Sequence, residues 1–265
     1  MTTAPAEAAR PVRRVGHVMG LPVSLAVRGR HADDDAGRRA WQDVLDSLVR
    51  ADHVFSTYRP DSWLSRLDRG EVDLVDCPPE VAEVLALGDA ASDASGGAFG
   101  VSLPRPDGGL RLDPSGVVKG WALERAAEAL RALPGTDFCL SGGGDLLCRT
   151  LDPSAAPWHI GIEDPHHPRH LLARVPVTTG AVATSGTAHR GAHLVDARTG
   201  AAPAAVAQVT VVAASLTQAD VDATSAFALG PEAASWLSTR PSTTGLVVWA
   251  DGTTTPVPDT TRSRR

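Results

Sequence analysis

One junction constrains this chain more than any other: Leu112-Asp113-Pro114-Ser115-Gly116-Val117-Val118-Lys119-Gly120-Trp121-Ala122. A Pro, a Ser and a Gly make a turn between Asp113 and Lys119, and from Trp121 onward apolar residues (Ala122, Ala126, Ala129, Leu130, Leu133) recur at helical spacing. The chain must therefore turn into a helix here, and the spacing places the helix start at Lys119. Lys119 is the only lysine among the 25 Lys and Arg residues. In so arginine-rich a composition, a compact ammonium in place of a guanidinium fork marks a position with its own chemical demand. Backbone N–H groups at a helix start beside a lysine favour an anion, phosphate above all. A βα turn with a surface lysine has the same local sequence.

At 265 residues and 43 % apolar content, the chain can bury a core as one large domain or two close lobes. A net charge of -6, with acids and arginines interspersed, leaves no electrostatic footprint for nucleic acid. Residues 1–14 lack an apolar run and read as a disordered leader, and no later stretch is long enough to insert in a membrane, so a cytoplasmic protein is expected. Cys77, Cys139 and Cys148 are odd in number and lack metal-ligand spacing, which suggests neither a disulfide framework nor a zinc site.

Along the chain, Val15–Arg28 reads as two strands broken at Met19-Gly20-Leu21-Pro22, and Asp33–Asp35 cap a helix whose apolar face is Trp41, Val44, Leu45, Leu48 and Val49. Tyr58 and several hydroxyls crowd ahead of a short helix capped by Ser62, and a further helix runs from Pro78 to Ala94 into Gly96-Gly97-Ala98-Phe99. Pro104–Gly109 reads as a loop. Ser141-Gly142-Gly143-Gly144-Asp145 reads as a turn between strands, with more glycine than a plain hairpin needs. Strands are expected at Trp158–Glu163, Leu171–Val177, Gln208–Ser215 and Leu246–Ala250, and a tail at 256–265. His166, His167 and His170 lie around a Pro in a polar loop, without the spacing that aims two imidazoles at one ion. Asp220 and Thr224, four apart on a helix that begins near Thr217, share one face. Carboxylate, hydroxyl and a nearby carbonyl are hard oxygen donors suited to Mg²⁺, although an acid and a hydroxyl in the first turns of a helix also occur without any metal.

Taken in order, Met19-Gly20, Phe55 to Leu67, Gly97-Ala98-Phe99, Asp113 to Ala122, Ser141 to Asp145, Thr184-Ser185-Gly186, His193 to Gly200 and Ala219 to Thr224 resemble the ApbE family, the FAD:protein FMN transferases. The resemblance covers roughly residues 15 to 250, and the domain is taken as 15–255. It implies an α+β fold of two lobes, mixed β-sheets with flanking helices and a flavin cleft between the lobes. It also implies Mg²⁺-dependent transfer of FMN from FAD to a Thr hydroxyl of an acceptor flavoprotein, with release of AMP. Hydrolysis of FAD to FMN and AMP, or FAD binding without chemistry, are the alternatives. Asp220, Thr224 and the Gly116 carbonyl then fall on metal ligands, with Thr217 as a further one. Met19, Tyr58, Ala98, Phe99, Gly100, Asp113, Lys119 and His193 fall on FAD contacts, and Lys119 would neutralise phosphate oxygens. His193 falls on the residue that activates the acceptor hydroxyl. Three positions depart from the pattern: Leu21 where the family often has Thr, Gly100 where it has Asp, and Ala197 where it has Pro.

Overall fold

The computed structural model describes residues 10–105, 108–187 and 194–259. Strands β1 (Val12–Val18) and β2 (Leu21–Gly29) form a hairpin through Met19 and Gly20, whose φ values of 57° and 67° make the two-residue turn that matches strand twist. Leu21 and Pro22 already belong to β2. Helix α1 (Asp35–Phe55) follows, with the Asp34 carboxylate accepting from the Gly37 N–H, and Val44, Leu48, Ala51 and Phe55 buried along one face. Helices α2 (Trp63–Asp68), capped by Ser62, and α3 (Pro79–Ala94) stand where periodicity put them. The expected loop at 104–109 is part of a hairpin, β3 (Ser102–Arg105) with β4 (Gly109–Leu112).

Helix α4 spans Ser115–Ala126, so it begins a full turn before Lys119 and places that residue inside the helix. Gly116 and the β-branched Val117-Val118 are poor helix formers, and packing overrides their propensity. After α5 (Glu128–Arg131) come β5 (Thr136–Gly142), β6 (Asp145–Arg149), β7 (Trp158–Glu163), β8 (Leu171–Val177), β9 (Gly180–Gly186) and β10 (Val206–Ala213). Helix α6 (Leu216–Leu229), α7 (Ala233–Leu237), β11 (Thr244–Trp249) and β12 (Thr254–Val257) complete the order, β12 extending into the expected tail. The glycine-rich turn is a plain hairpin after all. Gly143 and Gly144 supply its positive φ values of 60° and 97°, and a Cβ on Gly142 would meet Leu123 Cδ2 at 2.7 Å.

The α+β expectation holds. Eight strands form one sheet in the order β1-β2-β5-β6-β9-β10-β11-β12. Every ladder is antiparallel, where the resemblance implied mixed sheets. Tight turns can only reverse the chain, and the helical excursions from β2 to β5 and from β10 to β11 also return it antiparallel to the strand it left. The two halves of the sheet meet where Leu146, Leu147 and Cys148 pair with Val182, Ala181 and Gly180. Helices α1, α4 and α6 bury one face of this sheet around Leu48, Val117, Leu123, Leu140, Leu147, Val209, Leu216 and Phe227, and the β7–β8 hairpin covers part of the other through Trp158, Ile160 and Val177.

Glu124 ties α4 to α6. Its Oε2 accepts from Ser215 Oγ at 2.6 Å, Thr217 N at 3.0 Å and Thr217 Oγ1 at 2.7 Å. Burial raises the Glu124 pKa, but the hydrogen bonds from Ser215 and Thr217 outweigh it and hold the carboxyl below its usual range. A depressed carboxylate stabilises the fold above its unfolded pKa and loses that contribution as pH falls through its folded value. Glu124→Ala is expected to lose about 2 kcal/mol at neutral pH. Urea unfolding should show this gap narrowing below the ordinary glutamate pKa of about 4.3. A gap that does not change between pH 7 and pH 3 would show that the charge is not what matters.

Candidate active site

Two glycines bring the site together. Gly116 and Gly120, one turn apart on α4, face Thr224 and Asp220, one turn apart on α6. A Cβ on Gly120 would lie 2.8 Å from Asp220 Cβ and 2.8 Å from the Leu216 carbonyl oxygen, and one on Gly116 would lie 3.2 Å from Thr224 Cγ2 and 2.8 Å from Phe99 Cε2. The helices therefore approach too closely for side chains at either position. Gly120→Ala is expected to push α6 away and destabilise the protein by about 2 kcal/mol, because a backbone carbonyl cannot swing aside as a side-chain tip can. Thermal unfolding checks this, and an unshifted transition would show that the crossing is looser than these distances.

At the crossing, Lys119 Nζ lies 2.7 Å from Asp145 Oδ2 and 3.2 Å from Asp220 Oδ1. Asp145 and Asp220 are 0 % and 1 % exposed. Asp145 Oδ1 also accepts from the Thr184 N–H at 3.0 Å, and Asp220 Oδ2 accepts from the Gly120 N–H at 2.8 Å. Thr224 Oγ1 shares a hydrogen bond with Ser185 Oγ at 3.0 Å. Burial raises the Asp220 pKa, Lys119 opposes it, and Asp145 adds to it, leaving it at about 7. Burial disfavours the Lys119 ammonium, but the two carboxylates overcome this and hold it charged. Two buried carboxylates thus share one ammonium.

Around the cluster, Asp113 precedes α4, with Oδ1 accepting from the Ser115 N–H and Oδ2 2.8 Å from Arg111 Nη1. Phe99 is buried with its ring against Gly116, and the Ala98 carbonyl accepts from the Ala197 N–H at 2.9 Å. Met19 and Lys119 line the same small cavity, together with Leu123 and Gly142. Tyr58 is 96 % exposed and stands in solvent on the loop after α1. His193 lies outside the described residues.

The model of the ApbE family matches residues 19–104 and 100–247. The chain belongs to the ApbE family. It is 29 % identical over 134 residues to the FAD:protein FMN transferase of Vibrio cholerae, a match covering 46 % of this chain and 40 % of that protein. The corresponding protein of Haemophilus influenzae is 28 % identical over 134 residues, covering 46 % and 39 %. These matches thus span about 40 % of the length of the curated relatives. Among solved structures, the ApbE protein of Thermotoga maritima superposes with a TM-score of 0.81 at 21 % identity, covering 96 % of this chain and 98 % of its own. The flavin transferase ApbE of Vibrio cholerae gives 0.80 at 20 %, covering 95 % and 98 %. At such identities these structures share the fold. Among the described residues, no helix is long and apolar enough to cross a membrane.

Of the positions that the ApbE pattern singles out, Gly116, Lys119, Asp220 and Thr224 converge, with Phe99 beside them. Thr217, one turn before Asp220 on α6, donates both its hydroxyl and its N–H to Glu124. The Lys119 ammonium is engaged by both Asp145 and Asp220. Asp145 and Ser185 are the members that sequence reasoning missed. Asp145 had a signal: it opens a strand on which Leu147, two residues on, faces the helices, so strand alternation turns the acid inward too. Two of the three departures from the family pattern touch each other: a Cβ on Gly100 would come within 2.7 Å of Ala197 Cβ. An Asp at 100 would not fit against Ala197 as the backbone stands.

Proposed function

We propose that this chain is a Mg²⁺-dependent FAD:protein FMN transferase, which moves FMN from FAD to a Thr hydroxyl of an acceptor flavoprotein and releases AMP. The observation that carries the reading is the meeting of Asp220, Thr224 and Gly116 at the α4–α6 crossing, in a cluster with more carboxylate than ammonium. The donor set fits Mg²⁺. Among the described residues no three His, Cys, Asp or Glu gather, so the ion would take few protein ligands and complete its shell with water and phosphate oxygens. Asp220, Thr224 and the Gly116 carbonyl would hold it. The Gly120 N–H, which a regular helix would give to that carbonyl, also donates to Asp220 Oδ2. When bound, Mg²⁺ supplies charge neutralisation on the pyrophosphate oxygens.

The chain's own residues do the rest. Lys119 and the Gly120 N–H fix the two oxygens of Asp220, so the carboxylate does not reorient as substrate arrives. Phe99 packs its ring beside Gly116, and Met19, Tyr58, Ala98, Gly100 and Asp113 complete the proposed FAD contacts. His193 takes the proton from the acceptor hydroxyl as it attacks phosphorus and AMP departs.

The test mixes purified protein with FAD and MgCl₂, with and without a Thr-containing flavoprotein domain, following AMP and protein-bound flavin by mass. AMP together with FMN joined to the acceptor supports transfer. AMP with free FMN in both arms would replace it with hydrolysis, and FAD bound but unchanged would replace it with carriage.

A further inference from the structure

Two of the three cysteines are brought together by the fold. Cys139 on β5 and Cys148 on β6 are register partners, with their Sγ atoms 3.3 Å apart as free thiols. The hairpin that carries them closes at Gly142 and Asp145, and pairs then run Ser141 with Leu146, Leu140 with Leu147, and Cys139 with Cys148. Hydrogen-bonded and non-hydrogen-bonded pairs alternate from that closing pair, so Cys139 and Cys148 fall on a non-hydrogen-bonded one. There Cα atoms stand about 4.5 Å apart, at the short end of the range of about 4.4–6.8 Å that a disulfide spans. Both thiols point away from the Lys119 cluster, into the apolar layer of Ala26, Trp158, Ile160, Val177 and Val182 under the β7–β8 hairpin. Cys77 lies apart, its thiol on the Asp73 carbonyl.

We propose that Cys139 and Cys148 are a reversible redox site, closed to a cross-strand disulfide by a hydroperoxide and reopened by a dithiol. Cys139 is the more exposed of the two, at 9 % against 2 %. The hydrogen bond from the Cys148 thiol holds Cys139 below the usual cysteine range against the opposing effect of burial, and the same contact, with burial, pushes Cys148 up. Cys139, the more exposed thiol, attacks first, giving up its proton as it does so. Its sulfur displaces hydroxide from hydrogen peroxide to give a sulfenic acid. Cys148 sulfur then attacks that sulfur, its proton leaving with the departing hydroxyl as water. Two thiols and one peroxide yield one disulfide and two waters. Counting Cys residues in the sequence suggested no disulfide, because pairing depends on strand register.

The site is independent of the transferase reading, and its test needs neither FAD nor metal. The folded full-length protein is treated with one to two equivalents of hydrogen peroxide, then denatured and alkylated. The expected result is one alkylated cysteine, Cys77, in place of three, and a tryptic peptide 132–149 lighter by two hydrogens. Dithiothreitol should restore all three thiols. The melting temperature of the oxidised protein should rise by about 5 °C. Cys148→Ser should lose the lighter peptide and accumulate a dimedone-reactive sulfenic acid on Cys139. Three alkylated thiols after peroxide, a disulfide joining two chains, or sulfinic acid at Cys139 without the lighter peptide would each overturn the proposal.

Discussion

Asp220→Asn is expected to lower Mg²⁺-dependent AMP release from FAD by about a hundredfold or more, since a lost carboxylate ligand removes several kcal/mol of charge stabilisation and each 1.36 kcal/mol is tenfold. The amide matches the carboxylate in size, and its oxygen can still accept from the Gly120 N–H. Lys119 keeps Asp145 as a partner. The fold should therefore survive, and a melting curve close to that of the unsubstituted protein is part of the expected result. The decisive readout is the Mg²⁺ concentration that half-saturates the reaction, which should rise steeply. An Asn variant with the native Mg²⁺ dependence would remove Asp220 from the proposed metal site.

Lys119→Met is expected to be the most destabilising single change in the cluster. Methionine fills much the same volume but leaves Asp145 and Asp220 buried with no counter-charge. Breaking a buried pair in this way costs about 3–5 kcal/mol. The loss should also depend on pH. Asp220 already has a folded pKa near 7, above its unfolded value, so its protonated form supports the fold at low pH and that support is lost as pH rises through 7. Without the ammonium, Asp220 has less reason to ionise, so the deficit should be larger at pH 8 than at pH 6. Urea unfolding at the two values measures it. Millimolar Mg²⁺ should stabilise the variant more than the parent protein, because it supplies the missing positive charge. A variant as stable as the parent at pH 8 would mean that water reaches the carboxylates and the cluster is not dry.

Much of the local structure was legible along the chain, and for the same reason in each case. The caps at Asp34 and Ser62, the Met19-Gly20 turn and the inward Val44 and Leu48 of α1 depend on a few adjacent residues whose preferences agree with the fold, while Val49, expected on the same face, is exposed and Ser215, expected in a strand, caps α6. The start of α4 was misplaced because Gly116-Val117-Val118 argues against a helix locally, and only contact with α6 and Phe99 makes glycine the right residue there. Glycines 142–144 misled in the opposite direction, since an ordinary hairpin and the crowding of Leu123 already account for them.

By itself, the sequence determined the order of most elements, the pairing of Asp220 with Thr224 on one helical face and, through eight ordered motifs, the family, whose resemblance in turn implied the α+β class. The choice of a single lysine was visible too, but its reason was not. Tertiary structure alone decided that Lys119 faces two carboxylates, that Thr217 belongs to Glu124, that Gly100 touches Ala197 and that Cys139 meets Cys148. Each of these contacts joins residues from separate elements or loops. Local spacing sets which way a side chain leaves its own helix or strand; what it meets there is set by how closely other elements pack, and at the α4–α6 crossing that closeness is set by two missing Cβ atoms.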